Sequence, residues 1–195
     1  MTDYEQLEIT SREQWRAWLS DHGGDRRGVW VVTHKKGAGR PWVPYDDVVD
    51  EAVAHGWIDS QPRSLDDERS QLLVTPRNPR SNWSRRNKER VERLLAEGRM
   101  APAGLDAVEQ AKRDGTWTAL DDVESLREPD DLAAALDAAP DARRYWDAFP
   151  RSTKRGILEW IAAAKRPETR AARVTTTAEQ AAQNVRANQW RQPKG

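Results

Sequence analysis

The sequence predicts an α+β chain, with a small, mostly antiparallel sheet and flanking helices in the N-terminal half, followed by a helical C-terminal half. Two observations carry this. The β-branched and aromatic runs Val29-Trp30-Val31-Val32-Thr33 and Gln71-Leu72-Leu73-Val74-Thr75 both fall before residue 80. From Ser81 onward the apolar residues recur at spacings of three and four, punctuated by glycine and proline. Strands first and helices afterwards argue for α+β. The division expected is an α+β domain over 1–115, holding a basic Pro/Arg loop and helix, and a helical subdomain over 116–195; one continuous core is the competing arrangement.

Each element has a local cause. Ser11-Arg12-Glu13-Gln14 reads as a capping box that opens a helix through Trp15, Trp18 and Leu19, closed by His22-Gly23-Gly24. A strand is expected within Gly28–Lys36, then a Gly-containing loop to Pro41. Pro44-Tyr45-Asp46-Asp47 begins a second helix with acidic residues in its first turn, and Gly56 suits its C-terminal end. Trp57–Ser60 reads as a strand entering a charged turn at Leu65–Ser70, and Gln71–Thr75 as the next strand. Helices are then expected over 82–97, 102–114, 129–139, 141–149, 152–165 and 168–188, with 121–128 as a linker.

Composition removes several function classes. The chain has no cysteine, so it has neither disulfides nor thiolate chemistry. Met1–Ser20 is acidic and polar, unlike a secretory signal. Apolar runs never reach the length of about 18 residues that membrane insertion needs. Neither familiar nucleotide loop is present, His22, His34 and His55 lack metal-ligand spacing, and no catalytic motif occurs. No cofactor, no metal and no catalytic residue is therefore expected, and the reading leans away from an enzyme. Ten tryptophans against one phenylalanine point to a Trp-built core, with one or two left for a site. Net charge is zero but blocked: 76–115 carries +4 and 151–195 carries +7, against −5 over 1–75 and −6 over 116–150.

The segment Thr75–Arg93 stands out. Pro76 and Pro79 stiffen the backbone that carries Arg77 and Arg80. Ser81 reads as the N-cap of the helix that follows, whose first turn holds Arg85 and Arg86 where acidic residues are favoured. Exposed helix N–H groups beside converging arginines form an anion site in physical terms. Trp83, Asn87, Val91 and Leu94 share a face, so Trp83 is expected to point inward as an anchor. The expected ligand-binding set is Arg77, Arg80, Ser81, Trp83, Ser84 and Arg85, with Asp59 and Trp57 as an opposite wall and Lys36 adding charge. The alternative is that these arginines pair with Asp59, Asp66, Asp67 or the acidic 116–150 block.

Several strings, in order, resemble one family: Gly56-Trp57-Ile58-Asp59-Ser60, Thr75–Asn87 continuing into Glu89-Arg90-Val91, Gly98–Gly104, Ala164–Arg170 and Arg173-Val174. The chain is identified by them as a member of the YdeI/OmpD-associated (bacteriocin-protection) family, over roughly residues 8–175. The resemblance implies a bacterial, cytoplasmic protein tied to stress tolerance and to protection against bacteriocins or antimicrobial peptides, with no established catalytic residues. The tail departs from the family's pattern in being Ala/Gln/Asn-rich over Ala178–Trp190. Three roles compete: a binder of a small anionic, phosphate-bearing ligand; a nucleic-acid-associated protein using 76–93 and 151–173; and an adaptor in a complex or as a homodimer. The near-neutral total charge disfavours the second.

Overall fold

The computed structural model describes residues 4–24 and 27–192. The chain divides into two units, Met1–Thr118 and Ala119–Gly195. In the first, strands β1 (Glu5–Glu8), β2 (Val29–His34), β3 (Trp57–Ser64) and β4 (Arg69–Pro76) alternate with helices α1 (Arg12–Asp21) and α2 (Tyr45–Ala54), and α3 (Arg85–Ala96) and α4 (Pro102–Asp114) follow.

The four strands form one sheet in the order β1-β2-β4-β3. Pairings β2–β4 and β3–β4 are antiparallel, whereas β1 runs parallel to β2. The sheet is thus mixed. A parallel pair needs a crossover between its strands, and α1 lies between β1 and β2 in sequence. Sequence reading missed β1 because Glu5-Gln6-Leu7-Glu8 carries one apolar residue. It qualifies as an edge strand, where charge is tolerated and guards against unwanted pairing. β3, the other edge, accommodates Pro62 for the same reason.

Helices α1 and α3 start where a side chain satisfies one of their free N–H groups. Ser11 caps α1 by accepting from the Gln14 N–H, and Gln14 reaches back to the Thr10 N–H. The Gln14 return contact therefore falls one residue before the cap. The expected helix start at Ser81 moves to Ser84, whose hydroxyl accepts from the Asn87 N–H. The physical reason is Trp83: its backbone N–H donates to the Thr116 carbonyl at 3.1 Å and its ring is buried, so the chain enters the helix only afterwards.

The first core joins Trp15, Leu19, Val48, Val49, Val53 and Trp57 to the sheet residues Val29, Val31, Leu72 and Val74. Trp83, Val91 and Leu94 belong to it as well, so the inward face expected for α3 is present. The Trp15 indole N–H donates to the Val48 carbonyl at 3.0 Å, which satisfies its one polar group.

The regular elements among the second unit's described residues are all helices: α5 (Asp121–Glu124), α6 (Asp130–Asp137), α7 (Pro140–Ala148), α8 (Arg151–Ala162) and α9 (Pro167–Ala182). The expected linker at 121–128 contains the short α5. Helix α9 stops at Ala182 instead of Asn188, with Asn184 in the left-handed conformation at φ 57°. Leu132, Leu136, Trp146, Ile157, Leu158 and Ile161 fill this unit's core. The Trp146 indole N–H donates to Glu128 at 2.7 Å.

Candidate functional site

Arg77 follows directly on β4, and its backbone N–H donates to the Gly56 carbonyl at 3.0 Å. That anchor turns the guanidinium over the Trp83 ring, at 3.7 Å from the centroid. Trp83 is itself 2% exposed and lies 5.1 Å from the Trp117 ring. One guanidinium nitrogen, Nη2, donates to the Ser81 and Asn82 carbonyls at 3.3 and 2.8 Å. Nε is buried without a hydrogen-bond partner. Among the described residues no carboxylate forms an ion pair with Arg77. Burial without compensating charge pulls its pKa down to about 10.

Arg77 and Trp83 line a concavity of about 320 Å³ with Pro79, Asp106, Gln110 and Arg113. The last three come from α4, and their spacing of four and three places them on one helix face. Sequence reading missed them. The available signal was that spacing, but nothing in it says that α4 meets the loop after β4.

The nine residues expected to bind do not converge. Arg77 and Trp83 share the concavity. Arg80 and Arg85 are exposed, neither lines it, and neither forms an ion pair among the described residues. Ser81 contributes its carbonyl to Arg77, and Ser84 is the helix cap. Arg85 and Arg86 do occupy the first turn of α3, which contains no acidic residue. Trp57 is buried in the core, edge-on to Trp18 at 5.8 Å. Asp59 accepts the Tyr45 hydroxyl hydrogen at 2.5 Å, not an arginine. Burial and that carboxylate push the Tyr45 hydroxyl up to about 12. Lys36 sits over the Trp42 ring, lining a different cavity.

The arginines that do pair choose partners the sequence did not suggest. Arg86 and Arg90 reach Asp46 at 3.0 and 2.9 Å, and Arg90 also bonds Asp50. Arg93 contacts Asp50 at 2.8 Å. Glu51, 1% exposed, accepts from Arg12 at 2.5 Å, Arg16 at 2.9 Å and Arg99 at 2.8 Å. This network joins α1, α2 and α3; each of its arginines has a carboxylate partner, although Arg12 Nη2 and Arg90 Nε are buried without a hydrogen bond. In the second unit the basic 151–173 segment is engaged too. Arg155 pairs with Glu124 at 3.0 Å and Arg170 with Asp131 at 2.7 Å, while Arg173 donates to the Trp160 carbonyl. Among the described residues no group of three or more His, Asp or Glu could hold a metal ion, and no helix is long and apolar enough to cross a membrane.

A mixed sheet carrying four helices, and a separate bundle of short helices, define a two-unit α+β protein whose first unit holds an uncompensated arginine. The chain belongs to the family described as a domain of unknown function (DUF8412), whose model matches residues 7–107. Residues 125–184, within the helical unit, match the model of the family described as bacteriocin-protection, YdeI or OmpD-associated. The match is narrower than the span over which the sequence resembles that family. No curated protein and no solved structure matches the chain significantly.

Proposed function

We propose that this is a non-catalytic, bacteriocin-protection-associated protein whose first unit binds a small phosphate-bearing ligand at Arg77. The observation that carries the reading is the half-buried Arg77 guanidinium, stacked on Trp83 and facing a concavity without a paired carboxylate. A desolvated cation without a counter-charge is destabilising, and a bound anion relieves part of that deficit. Arg113, on the same concavity, supplies a second cation. Asp106 is placed to accept from a hydroxyl or amino group of the same ligand. The cytoplasmic setting and the protective role rest on the family resemblance, and the ligand class rests on the geometry. A nucleic-acid role draws less support, because most arginines of 151–173 are occupied by their own unit.

Thermal unfolding in the presence of inorganic phosphate, nucleotides and sugar phosphates tests the reading. A ligand present at about 100 times its Kd adds ~2.7 kcal/mol, or roughly 5–10 °C for a chain of this size. At least one phosphorylated compound is expected to produce such a shift, with Arg77→Gln abolishing it and Arg113→Gln reducing it. No stabilisation by any anion, or full stabilisation retained in Arg77→Gln, would overturn the assignment.

A further inference from the structure

A second cavity, of about 640 Å³, opens between one face of the sheet and the loop joining β2 to α2. The strand register explains its chemistry. Val31 pairs with Leu72, and Leu72 with Pro62, so these three form one apolar row across β2, β4 and β3. Two residues further along the strands, Thr33 pairs with Ser70 and Ser70 with Ser64, giving a parallel row of three hydroxyls on the same face. All six residues line the cavity. Its floor is therefore apolar at one end and hydroxyl-bearing at the other.

Charge follows the same gradient. The Lys35 ammonium donates to the Ser64 hydroxyl at 3.2 Å and to the Asp66 carbonyl at 2.7 Å, which holds it at the hydroxyl end. Lys36 also lines the cavity. Neither lysine forms an ion pair among the described residues, and no aspartate or glutamate is among the lining residues. At the lip stand Trp42 and Tyr45, 45% and 44% exposed, two of the few large apolar side chains left in solvent. An apolar floor, a row of hydroxyls beside ammonium groups and two unburied aromatic rings together describe a pocket for an amphipathic anion.

We propose that this cavity binds a small carboxylate with a flat apolar body. The body lies on Val31, Leu72 and Pro62 beneath Trp42, and the carboxylate meets the Thr33–Ser70–Ser64 row and Lys35. The proposal is independent of the Arg77 site, since the two share no residue.

Calorimetric titration of the full chain with naphthalene-2-carboxylate, naphthalene-2-carboxamide and 2-naphthylmethylammonium tests it. Saturable binding of the carboxylate is expected, about tenfold or more tighter than the amide, because charged hydrogen bonds are the stronger ones. The ammonium compound is expected not to bind. Lys36→Gln, at an exposed position that leaves the fold intact, and Lys35→Gln should each weaken the carboxylate several-fold without changing the amide. Trp42→Ala should weaken both. Arg77→Gln and added inorganic phosphate should change neither, which separates this site from the first. Equal affinity for carboxylate and amide, no saturable binding of the carboxylate, or indifference to both lysine substitutions would overturn the proposal.

Discussion

Glu51 shows how much a single residue can settle. It lies inside α2 on the row Val49-Asp50-Glu51-Ala52, all buried, and a carboxylate there is tolerable only because three guanidiniums converge on it. Burial alone would raise its pKa, but the hydrogen bonds from Arg16 and Arg12 outweigh that and hold it below the usual range. The sign of the pH dependence follows. A depressed carboxylate contributes stability that is fully present above its unfolded value near 4.5 and is lost as pH falls through the folded value. Glu51→Gln removes one charge from a buried network and leaves the guanidiniums facing one another. A loss of about 3–5 kcal/mol is expected in urea unfolding at pH 7, together with a flatter stability profile below pH ~4.5. A loss under about 1 kcal/mol would show that the three guanidiniums do not depend on the Glu51 charge. The sequence displayed Glu51 but not its burial, because the arginines that permit it come from α1 and from beyond α3.

At the scale of elements, the contact of α2 with α4 depends on Gly104. A Cβ built there would lie 2.1 Å from the Ala54 carbonyl oxygen. The same oxygen accepts from the Ala101 N–H at 3.0 Å, so the end of α2 and the start of α4 are bound backbone to backbone. In an open helix Gly→Ala stabilises by about 0.5–1 kcal/mol. Here the sign should reverse. Gly104→Ala is expected to destabilise by about 1–3 kcal/mol as the backbones are forced apart, readable as a lower urea midpoint. Stabilisation by this substitution would mean that the helices are not held so close. Elements of this kind were readable to differing degrees. The α1 cap and the β2 and β4 runs were legible because their causes are local. The start of α3 was misread by three residues, since Trp83 is held out of the helix by a bond to Thr116 that no local rule reveals.

For the whole molecule, the two units each have their own core, and the two family matches fall one in each. We expect fragments 1–118 and 119–195 to fold separately, each with a cooperative urea transition, and the second with a helical circular dichroism spectrum. Loss of cooperativity in either fragment would show that its core is completed by the other. Charge has the same organisation. The acidic 116–150 block supplies Glu124 and Asp131 to the arginines of 151–173, so the alternation along the chain is largely cancelled inside the second unit.

The sequence by itself determined the α+β class, the central strands, most helices and the prominence of the segment around Arg77. These follow from periodicity, capping and composition, which act over a few residues. The tertiary structure alone decided which arginines form ion pairs and that Arg77 is half-buried without one. Arg86, Arg90 and Arg93 found Asp46 and Asp50, about 40 positions away in sequence, while Arg77 found only the Trp83 ring and two carbonyls. Pairing between charges depends on distances across the fold, and no local pattern in the chain encodes them.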